Sequence, residues 1–193
     1  SQTLQILRAQ HGQGGHLTLT KLAGYQLAQA LETNGRVQLS ADFQKLAHDL
    51  AHPESLPLPD VAVAADLRDY QKEGVKWLSM LDKYGFGGIL ADDMGLGKTL
   101  QTIAFLSSRL TKESRILILA PASLIYNWQE EFHRFAPEID VAVVYGHKAE
   151  REVLIGQQHQ ILVTSYASFR QDIELYRKTK QYDYLILDEA QVM

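Results

Sequence analysis

The 193-residue sequence contains no cysteine. This absence excludes a disulfide framework, a metal site built from thiolates and a thiol nucleophile. A chain without cysteine also fits a reducing compartment, so we expect a cytoplasmic protein.

Long apolar runs are missing as well. No stretch approaches the roughly 20 apolar residues that a membrane-spanning helix needs, and the first residues lack the basic and then apolar pattern of a secretion signal. Because 46% of the residues are apolar, the chain has ample material for a core. We expect a soluble globular protein without a membrane partner.

An excess of basic charge is also absent, since the formal net charge is −4 and no block of lysine and arginine occurs. A protein that grips nucleic acid mainly by electrostatics usually carries a cationic patch or tail. Composition therefore argues mildly against DNA binding by this stretch alone, although a patch formed on folding stays open. Four isolated cations could line a DNA-facing surface, but such side chains usually lie on the surface and only solubilise a chain, so we assign no DNA contact to them, namely Arg134, Lys148, Arg151 and Arg170.

Proline is rare, and three of the five prolines lie in residues 52–60. Such a stretch cannot form regular structure, so we place a domain boundary there, between an accessory segment, 1–60, and the main part, 61–193. Within the first part, apolar residues recur at helical spacing behind Ser40 and predict a packing helix, namely Phe43, Leu46, Ala47 and Leu50.

Two histidines of the accessory segment, His48 and His52, lie one helical turn apart, which is a spacing that metal sites use. The zinc-protease pattern has glutamate directly after the first histidine, where this chain has Asp49. We therefore expect a solvated pair and not a metal site.

A glycine-rich loop follows an apolar run within residues 89–99, which end in Gly97, Lys98 and Thr99. Glycines let successive backbone N–H groups turn toward an anion, a lysine ammonium reaches the outer phosphates, and a threonine hydroxyl can bind Mg²⁺. Apolar residues at helical spacing come next, which places the phosphates at a helix N-terminus. The pattern predicts a nucleoside triphosphate site, with Asp92 at the position of the first glycine in the strict phosphate-loop pattern.

A second apolar run, residues 185–187, leads into the adjacent acids Asp188 and Glu189. One carboxylate at the tip of a strand can hold Mg²⁺ while its neighbour polarises the attacking water. We assign Asp188 to the metal and Glu189 to the base. Such a pair alone is often a solvated turn, but after a phosphate loop the two motifs support each other.

Apolar runs alternate with helical patterns through the main part of the chain, which predicts an α/β fold with a parallel sheet and crossover helices. Ligands of such sheets bind beyond the carboxyl ends of the strands, so the two motifs are expected to meet over one Mg²⁺-nucleotide. The predicted strands cover 116–120, 141–145, 161–163 and 184–187, and the helices lie around 123–135, 148–155 and 166–178.

A further helix is predicted before the phosphate loop and should end near Gly85. One face of it carries Leu67, Tyr70, Gly74, Trp77, Leu78 and Leu81. Core packing is expected for the aromatic residues Trp77, Trp128, Phe132 and Tyr166.

Five segments of the chain follow one another in an order that is informative about its family: LRDYQKEGVKWL at 67–78, DDMGLGKT at 92–99, LAPASLIYNW at 119–128, VTSY at 163–166 and DEAQ at 188–191. In these segments the chain resembles the Swi/Snf family of ATP-dependent DNA translocases, in helicase superfamily two, over about residues 66–193. The resemblance identifies the segments as an adenine-reading segment, a phosphate loop, two segments that touch the DNA backbone, and an acidic box. In that family, the position that corresponds to Asp92 is usually an aspartate.

The resemblance implies ATP and Mg²⁺ as cofactors, with Lys98, Asp188 and Glu189 as catalytic residues and with Thr99 and Asp188 on the metal. It also implies that Gln71 selects adenine. The implied nucleotide-binding residues are Arg68, Gln71, Asp93, Met94, Gly95, Leu96, Gly97, Lys98 and Thr99. The implied DNA contacts are Pro121, Ser123, Thr164 and Ser165, whose serine and threonine side chains could equally be helix caps.

As a fold, the resemblance implies an incomplete RecA-like lobe preceded by a small, mostly helical accessory segment, as in bacterial members. Double-stranded DNA is the implied partner, through a motor with two such lobes, in the bacterial cytoplasm or nucleoid. The 193 residues match the first lobe only, so we expect them to bind nucleotide weakly and barely to hydrolyse it, since an arginine finger can supply about 10³ to 10⁵ in rate.

Two other readings stay open. A small phosphotransferase shares the phosphate loop, but such enzymes need a lid and an acceptor pocket, and an Asp-Glu-Ala-Gln box is not expected there. A nucleotide-gated interaction module, in which residues 1–60 bind a protein partner and hydrolysis is irrelevant, also fits the sequence.

Overall fold

The computed structural model of the chain describes residues 2–8, 41, 45, 48–49, 52–85, 88–92, 97–179 and 181–189, with only the main chain in 2–8 and 88–92. Within these residues, helices and strands alternate from the second strand onward, and a short 3-10 helix, Pro53–Ser55, precedes the first helix. The elements are β1 Gln2–Arg8, α1 Asp69–Tyr84, β2 Gly88–Asp92, α2 Lys98–Ser107, β3 Ile116–Ala120, α3 Ile125–Phe135, β4 Val141–Val144, α4 Lys148–Gly156, β5 Ile161–Ser165, α5 Tyr166–Lys178 and β6 Tyr184–Asp188.

The strands form one sheet in the order β2-β1-β6-β3-β5-β4. The strands β6, β3, β5 and β4 run parallel to one another, with Ile118 of β3 opposite Ile186 on one side and Val163 on the other. Helices connect these strands, as a parallel sheet requires. The predicted α/β fold with a parallel sheet is confirmed for β6, β3, β5 and β4, because each strand and helix predicted in the main part of the chain is present with small differences at its ends.

The first strand is the element that the sequence analysis did not predict. The strand β1 lies antiparallel between β2 and β6, with Gln5 opposite Ile89 on one side and Leu187 on the other. A local hydrophobic pattern carries no information on which distant strand a segment pairs with. The division of the chain near residue 60 stays a prediction.

The two faces of the sheet bury different sets of residues because side chains alternate along each strand. On β3, Ile116 and Ile118 belong to one core cluster, whereas Leu117 and Leu119 belong to the other. Helices α1, α2 and α3 supply the first cluster, and α4 and α5 supply the second. The molecule therefore has three layers, which is the expected arrangement for a parallel sheet with both faces covered.

Helix α1 ends at a glycine, as predicted. Gly85 adopts the left-handed conformation with φ of 71°, and its N–H donates to a carbonyl of the last turn. Glycine takes this conformation without the steric cost that a Cβ brings.

Helices α1 and α2 approach each other closely at Gly74. A Cβ at this position would lie 1.9 Å from Oε1 of Gln101, which is a buried residue of α2. The close approach places the beginning of α1 beside the beginning of α2, where the predicted nucleotide residues lie.

The expectation that residues 52–60 contain no regular structure is wrong at Pro53–Ser55, where a single 3-10 turn forms, but the segment from there to α1 is irregular, as the prolines predict. This irregular segment packs on the rest of the chain: the N–H of Ala64 donates to the carbonyl of Phe135 at 2.7 Å, and Val61 and Val63 contact the first core cluster. The position of α1 is thus set by packing on both sides.

In the described part of the accessory segment, residues 41, 45, 48 and 49 are helical, while the predicted apolar stripe of that helix lies outside the described residues. His48 and His52 are exposed with ring centroids 5.1 Å apart, and no metal-binding cluster of three or more ligands occurs among the described residues. Within the same residues, no helix is both long and apolar enough to cross a membrane.

Candidate nucleotide site

The carboxyl ends of the parallel strands bring the predicted site residues to one edge of the sheet. The strands β3, β5 and β6 end there at Ala120, Ser165 and Asp188, and β2, parallel to them, ends at Asp92. This edge is where ligands bind in open α/β sheets.

The described end of the phosphate loop has the geometry that the sequence predicts. Gly97 adopts the left-handed conformation with φ of 76°, and Lys98 and Thr99 open helix α2. The Lys98 side chain is largely buried, at 8% exposure, so it points toward the protein and not into bulk water. The loop residues Asp93, Met94, Gly95 and Leu96 lie outside the described residues, and their predicted contacts stay predictions.

Gln71, the predicted reader of adenine, lies directly beside the end of this loop. A Cβ on Gly97 would meet Nε2 of Gln71 at 2.4 Å, and Oε1 of Gln71 accepts from the N–H of Arg68 at 2.9 Å. The amide group is therefore held between the start of α1 and the start of α2. Arg68 itself is exposed.

Lys98 and Asp188, which are far apart in the chain, lie at the same edge of the sheet, at the start of α2 and at the end of β6. The Lys98 ammonium lies near enough to Asp188 to stabilise its carboxylate electrostatically. Burial nevertheless raises the pKa of Asp188 above its ordinary value, and the charge of Glu189 adds to the rise. A bound cation would remove this penalty, since it stabilises the charged form of a carboxyl group.

Two aromatic residues hold Asp188 by hydrogen bonds. Nε1 of Trp128 donates to Oδ2 of Asp188 at 2.9 Å, and the hydroxyl of Tyr166 donates to its backbone carbonyl at 2.8 Å. Burial, together with the charges of Asp188 and Glu189, raises the pKa of Tyr166 to about 12. The phenol therefore stays protonated and keeps donating at neutral pH.

Sequence reasoning assigned Trp128 and Tyr166 to core packing, and packing is indeed part of their role, since both contact a core cluster. Their hydrogen bonds to Asp188 were missed. The indole N–H of a buried tryptophan needs a hydrogen-bond acceptor. The helical spacing of Trp128 predicts its burial, and hence an acceptor, but it does not show which residue supplies that acceptor.

Glu189 has a strained backbone, with φ of 51°, and is the only residue other than glycine with positive φ among the described residues. A left-handed conformation costs a residue with a Cβ about 1–2 kcal/mol. Strain of this kind persists where the surrounding structure enforces it, and it clusters at functional sites.

The donors at this edge suit a hard cation such as Mg²⁺. The carboxylate of Asp188, to which Trp128 donates, and the hydroxyl of Thr99 beside Lys98 offer oxygen atoms, which Mg²⁺ prefers as ligands. Asp188 and Thr99 would hold the ion.

The predicted DNA contacts divide into two groups. Pro121 is half-buried and Ser123 is exposed, both between β3 and α3. Thr164 is buried, and its hydroxyl donates to the carbonyl of Val144 at 3.0 Å. Ser165 is the N-cap of α5, where its hydroxyl accepts from the N–H of Ser168 at 3.1 Å. Contact of all four with DNA stays a prediction.

One expected surface cation is buried. The guanidinium of Arg151 forms two hydrogen bonds with the carboxylate of Asp172, at 2.6 and 3.0 Å, and a third with the carbonyl of Gly146 at 2.7 Å. The expectation of a solubilising side chain at Arg151 is wrong, because its partner lies on another helix and local sequence does not show it.

Comparison with known proteins agrees with this fold. The model of the SNF2-related domain matches residues 70–193. An uncharacterized ATP-dependent helicase of Mycoplasma genitalium is 46% identical over 130 residues, which cover 65% of this chain and 12% of that protein. The TATA-binding protein-associated factor MOT1 of Saccharomyces cerevisiae is 40% identical over 168 residues, or 79% of this chain and 9% of that protein.

Solved structures give the same result. The SWI2/SNF2 ATPase core of Sulfolobus solfataricus, solved in complex with double-stranded DNA, superposes with a TM-score of 0.57 at 36% identity, covering 66% of this chain and 27% of that one. The chain thus spans about a tenth of the length of the curated relatives above. The match over most of the chain and the RecA-like lobe that it shares with the ATPase core lead to one conclusion: the chain belongs to the family of SNF2-related domains.

Proposed function

We propose that this chain is the nucleotide-binding lobe of an ATP-dependent motor that moves along double-stranded DNA. The observation that carries the proposal is that Lys98, at the end of a phosphate loop and the start of α2, and Asp188, at the end of β6, lie at one edge of the parallel sheet. In a SNF2-related fold, this arrangement would create one site for phosphates and a metal ion.

In the proposed site, the N–H groups at the start of α2 and the ammonium of Lys98 bind the phosphates. Thr99 and Asp188 hold Mg²⁺, which would offset the negative charge that the phosphates carry during transfer. Glu189 accepts a proton from the attacking water as the bond between the β- and γ-phosphates breaks. Gln71, clamped beside Gly97, donates to the adenine base.

Two findings support double-stranded DNA as the partner of the whole motor. The solved ATPase core that the lobe resembles was determined with double-stranded DNA, and Pro121 and Ser123 lie accessible at the same edge of the sheet as the nucleotide residues. A nucleic acid strand across this edge would be close to the site of hydrolysis. We also propose that the 193 residues alone hydrolyse ATP slowly, since the transition-state arginine of such motors is supplied from the second lobe.

The most specific test replaces Lys98. Lys98→Ala should weaken the binding of Mg²⁺-ATP at least 100-fold, because the ammonium is a charged partner of the phosphates, while circular dichroism and the melting temperature show that the fold is kept. Isothermal titration calorimetry measures the affinity.

Lys112→Ala is the matched control, since this exposed lysine precedes β3 at the opposite edge of the sheet. Its affinity should equal that of the parent chain. Unchanged affinity in folded Lys98→Ala would exclude Lys98 from the site and remove the basis of the proposal.

A further inference from the structure

Two ring donors from different helices converge on the first acid of the acidic pair. Trp128, in the first turn of α3, binds the carboxylate of Asp188, and Tyr166, the first residue of α5, binds its carbonyl. One bond thus fixes the side chain of Asp188, and the other fixes its main chain.

Neither donor can easily move. Trp128 is 1% exposed and packs beside Phe132, with ring centroids 6.2 Å apart, so its indole is wedged in the first core cluster. Tyr166 packs against the second cluster on the other face of the sheet, directly after the capped N-terminus of α5. The acid at the tip of β6 is therefore held from both core layers.

The Tyr166 bond acts on the peptide group that joins Asp188 to Glu189, because the carbonyl of Asp188 belongs to that group. Glu189 follows with its strained φ of 51°. Since a peptide group is planar, a hydroxyl that fixes the carbonyl direction also restricts the path of the chain into Glu189.

We propose that Trp128 and Tyr166 are positioning residues for the metal and the water of this site, a role that rests on the proposed function. Trp128 orients the carboxylate of Asp188 toward the metal, and Tyr166 fixes the main chain of Asp188, which carries that carboxylate and leads into the turn at Glu189. Residues that hold a metal ligand in this way typically contribute 10- to 100-fold to metal affinity, and they do not bind the nucleotide themselves.

The experiment uses the 193-residue chain with Trp128→Phe and Tyr166→Phe, which remove the two donors and keep the rings. The dissociation constant of ADP is measured by calorimetry, once with saturating Mg²⁺ and once with EDTA. Each variant should bind ADP about tenfold more weakly with Mg²⁺ and equally well in EDTA. The ratio of the two constants within one variant is insensitive to a general loss of stability.

Two matched controls carry the same chemical changes elsewhere. Trp77→Phe alters the other tryptophan, which packs against the same core cluster, and Tyr126→Phe alters an exposed tyrosine of α3. Both should keep the Mg²⁺ to EDTA ratio of the parent chain.

The outcomes separate this inference from the proposed function. If the variants lose ADP affinity equally with and without Mg²⁺, or lose none in either buffer, Trp128 and Tyr166 have only a structural role. Either result would overturn the inference. A parent chain that binds no nucleotide in either buffer would overturn the proposed function, and the inference with it.

Discussion

At the scale of single residues, two glycines with nearly the same backbone serve different purposes. Gly85 and Gly97 have φ of 71° and 76°. A Cβ on Gly85 would meet nothing within 4 Å, whereas one on Gly97 would press on Nε2 of Gln71. Gly85 therefore only ends a helix, while Gly97 also makes room for the proposed adenine reader.

This difference gives a paired prediction. Gly85→Ala should lower the free energy of unfolding by about 1–2 kcal/mol, the cost of a Cβ in the left-handed region, and leave ADP affinity unchanged. Gly97→Ala should cost at least as much and also weaken ADP binding, because it displaces Gln71. Urea unfolding and calorimetry measure the two effects, and full ADP affinity in Gly97→Ala would contradict the role of Gly97.

Some single residues could be predicted from the sequence and others could not. Lys98 and Asp188 could be predicted because each belongs to a local motif, a glycine-rich loop after a strand for Lys98 and an acidic pair at the end of a strand for Asp188. The hydrogen bond from Trp128 to Asp188 and the ion pair of Arg151 join residues 60 and 21 positions apart. No periodicity connects such partners, so only the folded chain shows them.

At the scale of elements, strands and helices with a clear period were predictable, because burial on one or both faces leaves a pattern in the sequence. The strands β3 and β5 are buried along their full length. The sequence of β3 is a continuous apolar run, and that of β5 is apolar over its first three residues, 161–163. The strand β1 was not predictable, since its place depends on distant partners.

Helices α4 and α5 are joined by the buried pair of Arg151 and Asp172. Hydrogen bonding to Asp172 raises the pKa of Arg151 above its ordinary value, so the guanidinium stays charged. The third bond, to Gly146, ties the turn after β4 to the same pair.

Breaking this pair should be costly. Asp172→Ala leaves the Arg151 guanidinium buried without its carboxylate, and we expect a loss of about 3–5 kcal/mol in the free energy of unfolding. Glu174→Ala, which breaks the exposed pair with Arg177 on the same helix, should cost less than about 1 kcal/mol. Urea unfolding measures both free energies. If Asp172→Ala lowers the free energy of unfolding as little as Glu174→Ala does, the buried pair of Arg151 and Asp172 stabilises the fold no more than an exposed pair.

At the scale of the whole molecule, the parallel sheet is what turns two separate motifs into one site. Because parallel strands end at the same edge, the start of α2 and the end of β6 lie together although much of the chain separates them. The alternating pattern of the sequence predicts that both motifs lie at this edge, and the ends of β2 and β6 do lie there, whereas their meeting over one nucleotide stays a prediction. The aromatic support beneath it depends on side-chain packing and had to be seen in the structure.

If the phosphate loop and the acidic pair surround one metal ion with its nucleotide, a paramagnetic ion bound there should broaden the NMR signals of both motifs. Mn²⁺ and ATP are added to the ¹⁵N-labelled chain, and Lys98→Ala is the control whose signals should not broaden. We expect the amide signals of Gly97, Lys98, Asp188 and Glu189 to broaden together, while that of Lys112 at the opposite edge stays sharp. Broadening of only one motif, or of neither, would contradict it.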